Sequence, residues 1–392
     1  MSAASPTTTA EQLGIRAHSD GAFVPVQTRS ERVKSTKISD FEAVTGREVD
    51  WKFTPVAKIK DLIDGPLDGS HFGFVATEAS DIALSWIPMS DQRIGTAGLP
   101  EDLASANAWT STTDALLVEV GAKDTSEITI TRDTLGTTAR AAHILIQAAP
   151  FAKGTIVLQN NGDASLVENV EIVLGDSAQL TVISVQEWNE GARHLATHFA
   201  RIGKDAKLTH AVVSLGGDII RVNPQAHLAE EGSDVNMLGV YFADAHQHIE
   251  QQVYVHHDAP HSKSRVNYKG ALQGDGARTV WIGDVLISQT ANGTDSYEQN
   301  RNLVLSDGTR ADSIPNLEIE TGDIAGAGHA SATGRFDDEQ LFYLQARGIS
   351  EAEARRLVVN GFLNEIVQQL GVPALEERIQ ETLTAELEAG VA

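Results

Sequence analysis

The sequence predicts a mainly β protein with helical segments at both ends. From Phe72 to Ile319 the 392-residue chain shows short stretches rich in Val, Ile, Leu and Thr, separated by Gly, Asp and Asn, which is typical of strands and turns. From Asp337 onward, helix caps and apolar residues three and four apart replace that pattern. Aromatic residues make up only 5% of the chain, so thin layers of Val, Leu, Ile and Ala are expected. Predicted strands include Leu116 to Val120, Ile128 to Thr131, His143 to Gln147, Thr155 to Gln159 and Val170 to Val173.

For the N-terminal segment, the sequence predicts a tail with little fixed structure, followed by two short helices. Residues 1–36 mix Ser, Thr, Ala and charges without a period, which is typical of a loose tail. Ser39 is a good N-cap for a helix that reaches Gly46. A second helix is expected from Val56 to Ile63, because Gly65 and the proline after it end it.

A turn motif recurs within the β region, and its spacing predicts a solenoid. With Ala178, Ala206, Ser233 and Ala277 taken as equivalent positions, the intervals are 28, 27 and 44 residues. The first two intervals suit one coil of a β-solenoid, whose repeats bury their apolar face by stacking. The third interval requires an inserted coil or loop. A β-sandwich or barrel remains open as the alternative.

The C-terminal segment predicts three helices. Asp337 is the expected N-cap of the first, with Gln340 at its third position and Gly348 as its end. Ser350 and Glu353 form a second capping box. The third helix carries an apolar stripe that packs on its own domain or on a partner: Leu375, Ile379, Leu383 and Leu387.

Composition excludes several classes of partner. The net charge of -24 repels phosphate backbones and anionic membrane surfaces, so neither nucleic acid nor a membrane is expected. The absence of cysteine excludes disulfides and thiolate ligands from this chain. The sequence lacks both a secretory pattern and an apolar run of the ~18 residues that a membrane span needs, which predicts a cytoplasmic location.

The chain lacks the P-loop, nucleophile-elbow and His-Glu-x-x-His patterns, so no enzyme class gains support from a motif. Paired carboxylates would suit a β-helix enzyme that acts on polysaccharide, but their density fits surface charge. A β-helix enzyme that acts on polysaccharide or on acyl groups remains an alternative. His246 and His248 would share one strand face, so a metal site competes with a surface role there. Three further histidines follow closely: His256, His257 and His261.

His329 lies in a stretch of small residues from Ala325 to Gly334, which predicts an exposed loop between the last strand and the first C-terminal helix. A lone histidine in such a loop is normally solvated. Its residue type and position therefore give it no role by themselves.

Three segments resemble the SufB/SufD family of iron-sulfur cluster assembly proteins. They are Asn300 to Asp307, Ala311 to Ile319 and Asp338 to Ser350, with weaker similarity at His257 to Ser264 and Tyr268 to Gly270. The resemblance implies a right-handed parallel β-helix core over 72–325, an N-terminal tail with a small helical region over 1–71, and a C-terminal helical region over 326–392. It also implies a non-catalytic scaffold.

In that family the two paralogues SufB and SufD pair through their β-helices, and their C-terminal helices bind the ATPase SufC. Members often have Cys-Ser-His-Gly where this chain has Ala327-Gly328-His329-Ala330, and a chain without cysteine resembles the SufD branch. His329 is then expected to contact a transient iron-sulfur cluster shared with SufB, although a homodimer with SufC remains open. Residues expected at the SufB interface are Asn302, Asp312 and Glu318. Residues expected to bind the ATPase are Asp337, Gln340, Leu341, Phe342, Tyr343, Arg347, Leu357 and Phe362.

Overall fold

A computed structural model of the chain describes residues 32–336 and 338–389. Most of the predicted N-terminal tail and the predicted N-cap Asp337 lie outside these ranges. The strands are β1 (Val75–Ala76), β2 (Ile82–Pro88), β3 (Asp114–Val120), β4 (Ser126–Asp133), β5 (Gly136–Ala148), β6 (Lys153–Gly162), β7 (Ala164–Leu174), β8 (Gln179–Trp188), β9 (Arg193–Ile202), β10 (Lys207–Ser214), β11 (Ile219–Leu228), β12 (Asp234–Ala243), β13 (His248–His257), β14 (Lys263–Leu272), β15 (Arg278–Ile287), β16 (Thr294–Val304), β17 (Arg310–Ile319) and β18 (Ile324–Arg335).

The strands form a parallel β-solenoid of about 8 turns. From β4 onward each coil gives one strand to each of two sheets, with the even-numbered strands and β1 in one sheet and the odd-numbered strands, β2 and β3 in the other. Strands of successive coils pair in parallel and in register, so equivalent side chains stack. The predicted parallel solenoid is confirmed and the sandwich or barrel is excluded, whereas the right-handed sense of the coil stays a prediction.

The repeat prediction was right for three positions and wrong for the fourth. Ala178, Ala206 and Ser233 each precede a strand of the even-numbered sheet in successive coils. The next equivalent residue is Ser262, since β12 pairs in register with β14. Ala277 precedes β15 in the opposite sheet, so the interval of 44 residues joined two different series. No inserted coil is needed.

The apolar interior of the solenoid consists of alternate side chains from both sheets. Ile, Val and Leu at every second position point inward because successive side chains of a strand point to opposite faces. These residues form one cluster that extends along the coil, and it includes Ile130, Ile146, Ile156, Leu166, Val182, Val222, Met237, Val253, Val266 and Val285.

The two ends of the solenoid differ. At the N-terminal end, β1 and β2 pair antiparallel to β4 and β3, and the aromatic rings of Phe72, Phe74 and Trp86 pack together there. At the C-terminal end, β17 and β18 stand last in their sheets. We call this the open end, because each of these two strands pairs with a neighbour in its sheet on one side only.

Five α-helices within the described residues lie outside the coil: α1 (Lys60–Asp64), α2 (Leu103–Ser111), α3 (Asp338–Gln345), α4 (Glu351–Val367) and α5 (Pro373–Ala389). The first two pack on the odd-numbered sheet through a cluster that includes Leu62, Leu103 and Leu195. The last two pack on the even-numbered sheet. Their buried residues join Val185, Val213 and Val240 in one cluster, and the predicted stripe of α5 is part of it.

Of the two helix predictions at the N-terminal side, the first was wrong and the second was right in part. Instead of a helix from Ser39 to Gly46, the chain forms only a 3-10 turn at Ile38–Asp40. The Glu48 carboxylate accepts hydrogen bonds from the backbone N–H groups of Thr45 and Gly46 at 2.9 and 2.8 Å, which stabilises a turn in place of a helix. The second predicted helix is split into a 3-10 turn, Val56–Lys58, and α1.

Helix α2 lies within the predicted β region and was not itself predicted. Asp102 caps it by accepting a hydrogen bond from the Ser105 N–H at 2.8 Å. The cap at Ser350 was predicted correctly, since its side chain accepts from the Glu353 N–H at 3.3 Å. Gly348 adopts a positive φ of 86° just after α3, as expected of a residue that ends a helix.

Candidate functional site

His329 lies on a strand at the open end. The predicted loop was wrong: Ile324–Arg335 is β18, because its backbone pairs in parallel with β16 and its Gly and Ala residues are compatible with an edge strand. The His329 side chain is 43% exposed, so a molecule that approaches the open end can contact it. A strand holds the imidazole more rigidly than a solvated loop would.

Glu298 lies directly beneath His329 in the ladder. The two residues are register partners in β16 and β18, so their side chains stack on the same face. The distance from His329 Nδ1 to Glu298 Oε1 is 3.7 Å, which is longer than a hydrogen bond. Sequence reasoning missed Glu298, and its only signal was the alternation of β16, in which every second residue from Thr294 to Asn302 is buried.

The carboxyl group of Glu298 has an unusual environment. The residue is 1% exposed, and Oε1 has no hydrogen-bond partner among the described residues. Burial raises the pKa of Glu298 to about 8, and the negative charge of Asp284 adds to the rise. Nearby, the indole Nε1 of Trp281 is also buried without a partner in the described part of the chain. This part of the interior therefore contains polar atoms whose hydrogen bonds are not made.

A polar network extends from the interior beside Glu298 to the exposed Ser331. The Asn300 side-chain oxygen accepts from the Ser313 hydroxyl at 2.8 Å, and the Ser331 hydroxyl donates to Ser313 at 3.0 Å. The Tyr241 hydroxyl donates to the Asn302 side-chain oxygen at 2.7 Å. Asn302, expected at a partner interface, is 3% exposed, so its side chain belongs to this internal network rather than to the surface.

The other two residues expected at that interface lie on the edge strand β17. Asp312 forms ion pairs with Arg278 at 3.1 Å and Arg310 at 2.9 Å, and it is partly exposed. Glu318 is also partly exposed. Both residues are therefore positioned where a second chain that meets β17 would come close.

The five clustered histidines do not form a metal site. His246 lies in a turn with a positive φ of 66° and is exposed, whereas His248 begins β13 and is buried against Glu250 at 3.0 Å. The predicted common strand face was thus wrong for this pair, because the turn intervenes. Across the described ranges, no group of three or more His, Asp or Glu side chains is arranged to hold a metal ion.

The remaining three histidines of that group have other environments. The His257 ring is buried between the hydroxyls of Ser262 and Ser264 at 2.7 and 2.9 Å, and burial lowers its pKa to about 3. His256 is within 2.8 Å of the Ser288 hydroxyl. His261 lies in a turn with a φ of 56°.

Comparison with known proteins identifies the family. The family described as "SUF system FeS cluster assembly, SufBD core domain" matches residues 128–362. Over 372 residues the chain is 44% identical to an iron-sulfur cluster assembly SufBD family protein of Mycobacterium tuberculosis, covering 92% of this chain and 93% of that protein. The chain belongs to the SufBD family. A relative of the same description from Mycobacterium leprae is 41% identical over 380 residues (94% and 96%), and one from Synechocystis is 29% identical over 214 residues (55% and 47%).

The matched SufBD core includes the open end of the solenoid. Glu298 and His329 both lie within it, as do α3 and most of α4. Because this SufBD chain has no cysteine, it offers no thiolate donor for metal. Within the described residues, no helix is long and apolar enough to cross a membrane.

The helices at the C-terminal side of the SufBD core present an exposed apolar surface. Phe342 and Tyr343 in α3 are 72% and 56% exposed, and Leu357 in α4 is 50% exposed. Leu341 is partly exposed, and Arg347 lies over the Tyr343 ring at 4.6 Å from its centroid. We call these five residues the α3–α4 surface. The side chain of Gln340 lies outside the described part of the structure.

Phe362 differs from the other residues expected to bind the ATPase, because it faces its own domain. The Lys269 Nζ lies 4.8 Å from the centroid of its ring. The same ammonium donates to the Phe362 carbonyl at 3.0 Å and pairs with Glu365. Phe362 therefore links α4 to strand β14 of the solenoid.

Proposed function

We propose that this chain is a non-catalytic scaffold subunit that assembles an iron-sulfur cluster at the open end of its solenoid. The observation that supports this most directly is the position of His329, a half-exposed imidazole on an edge strand of a SufBD-family solenoid. An imidazole nitrogen is a suitable ligand for iron. The cluster is the cargo of the scaffold rather than a resident cofactor.

The thiolate ligands of the cluster come from a second chain in this proposal. Iron-sulfur clusters are mainly held by cysteine thiolates, and this chain has none. The partner is a cysteine-bearing SufB paralogue that meets the edges of β17 and β18, whose outer backbone groups are available for strand pairing. Asp312 and Glu318 lie on β17 and would border that contact.

The ATPase SufC binds the α3–α4 surface in the same proposal. Exposed aromatic and aliphatic side chains grouped on neighbouring helices are typical of an interaction site. Because α4 also packs on the solenoid, and Lys269 links it to β14, a movement of the ATPase would be transmitted toward the neighbouring strands. ATP hydrolysis belongs to SufC, since the sequence lacks a P-loop.

The test is co-expression of this chain with a cysteine-bearing paralogue and a P-loop ATPase, followed by co-purification and cluster reconstitution. We expect all three chains to purify together and His329→Ala to lower the yield of bound iron and sulfide while the complex stays intact. The exposed turn residue His246 provides the matched control, and His246→Ala should keep the wild-type yield. Normal cluster yield in His329→Ala would remove His329 from the function.

The composition of the purified complex decides between two assemblies. Recovery of the paralogue in a one-to-one ratio supports the heterodimer. Recovery of two copies of this chain with the ATPase, without the paralogue, would replace it with a homodimer. Loss of the ATPase from every preparation would overturn the proposed role of the α3–α4 surface.

A further inference from the structure

The spacing of Glu298 and His329 fits one metal ion between them. Bonds from a first-row metal ion to an imidazole nitrogen and to a carboxylate oxygen are about 2.0–2.2 Å long. Two such donors on one ion therefore stand roughly 3 to 4 Å apart, depending on the bond angle. The observed separation of 3.7 Å between Nδ1 and Oε1 lies in this range and is too long for a direct hydrogen bond.

The burial of Glu298 gives independent support for a missing ligand. The residue is 1% exposed and Oε1 has no hydrogen-bond partner in the described ranges, although most buried polar groups of native proteins do have one. An unpaired oxygen inside a protein costs free energy. The carboxyl is also held in place, because Oε2 lies against Gly283, where an added Cβ would come within 2.4 Å of it.

We propose that Glu298 is a second protein ligand, beside His329, for a divalent first-row transition metal ion. This inference rests on the proposed function, in which that ion is ferrous iron destined for the cluster. Imidazole and carboxylate together suit such ions. The two residues form half of a site, since the described residues offer no third His, Asp or Glu in a suitable arrangement. Water, sulfide or a partner thiolate completes the coordination.

The orientation of the two side chains also indicates which atoms bind the ion. His329 Nδ1 is the ring nitrogen that faces Glu298, so Nδ1 and Oε1 are the two donors. Both strands are fixed by parallel pairing, and the register keeps the two side chains stacked. The half-site is thus preformed before any partner arrives.

The experiment is an anaerobic titration of the full-length chain with Co²⁺, followed by its visible absorption and by calorimetry. Wild type should show one site. Glu298→Gln, which keeps the shape of the side chain, and His329→Ala should each weaken Co²⁺ binding at least about tenfold. The exposed Glu320 and His246 provide matched controls, and Glu320→Gln and His246→Ala should bind as wild type.

A double variant tests whether the two residues hold the same ion. If they do, Glu298→Gln combined with His329→Ala should bind Co²⁺ little more weakly than either single variant. Two Co²⁺ ions bound by wild type, with only one of them lost in each single variant, would indicate separate ions and overturn the proposal. Wild-type affinity in Glu298→Gln, or a wild-type signal that does not depend on His329, would also overturn it.

Failure of this inference and failure of the proposed function give different results. Normal Co²⁺ binding by Glu298→Gln with low cluster yield in His329→Ala would remove only the second ligand. Weakened Co²⁺ binding in both single variants with normal cluster yield in the three-chain complex would keep the half-site and reject its role in assembly.

Discussion

The interior of the solenoid contains two buried glutamates with opposite surroundings. The carboxylate of Glu168, on β7, forms an ion pair with the Arg132 guanidinium, with 2.7 Å between Oε2 and Nη1. Its Oε1 lies 2.8 Å from His194 Nε2. Although burial opposes ionisation, these two partners hold the pKa of Glu168 well below its usual range. Glu298, close to the open end, has no such cation among the described residues, and burial raises its pKa to about 8.

The difference indicates that Glu168 has a structural role, whereas Glu298 belongs to an incomplete site. Arg132 is 1% exposed and also donates to the Asn160 side-chain oxygen at 2.8 Å, so the network around Glu168 satisfies its members within the chain. Around Glu298, by contrast, Oε1 and the Trp281 Nε1 make no hydrogen bond to the described residues. Removing a partner should therefore matter greatly at Glu168, and altering the carboxylate should matter little for stability at Glu298.

The largest effect is expected from Arg132→Ala. The variant leaves the Glu168 carboxylate buried beside His194 alone, and breaking a buried ion pair in this way costs about 3–5 kcal/mol. Urea unfolding followed by circular dichroism measures this loss. The pair of Arg193 with Asp61, whose side chains are 21% and 51% exposed, is the control, and Arg193→Ala should cost about 1 kcal/mol. Equal losses in the two variants would contradict the structural role of Arg132.

A smaller effect is expected from a histidine pair in the same interior. The rings of His198 and His210 are fully buried, with His198 Nδ1 and His210 Nε2 at 2.9 Å. Burial lowers the pKa of His198 to about 4, and His194 and Arg132 lower it further against the opposing charge of Glu168. Burial, followed by the charge of His198, also lowers the pKa of His210.

These shifts predict a loss of stability in acid. Below pH 6.5 the unfolded chain binds protons that the folded chain excludes, so folding stability falls as the pH drops from 6.5 towards 4. For His198 alone the loss amounts to about 3 kcal/mol. Urea unfolding at several pH values should show a flatter dependence in a variant with both His198→Leu and His210→Leu. Parallel pH curves for the variant and wild type would refute the assignment.

Sequence patterns predicted the β region and, within it, five strands that correspond to β3 to β7, because each buries alternate side chains in a coil that repeats. The predictions failed where the same short sequence motif is compatible with two different structures. Ala277 stands before a strand as Ala206 does, but the strand belongs to the opposite sheet. Ser39 can cap a helix, yet Glu48 binds the backbone N–H groups that the helix would need. Such competition depends on contacts that spacing alone does not reveal.

The candidate site was predictable only in part. His329 was found by resemblance, and its neighbour Glu298 was not, because 31 residues separate them and coil lengths vary along the chain. The register partner of a residue in the next coil is 28 residues away for Gln179 and 32 for Lys263. Pairing across coils therefore requires the structure, and so does the burial that leaves Glu298 Oε1 without a partner.

The smallest effect on stability is expected from Glu298→Gln. With a pKa of about 8 the carboxyl is mostly neutral at pH 7, so an amide of the same shape replaces a neutral group and should change the free energy of unfolding by about 0.5 kcal/mol or less. Urea unfolding at pH 7 measures this, with Arg132→Ala as the contrasting variant. A loss of several kcal/mol would show that Glu298 holds a structural partner as Glu168 does. An unchanged stability combined with weakened Co²⁺ binding would mean that this buried carboxyl serves a ligand rather than the fold.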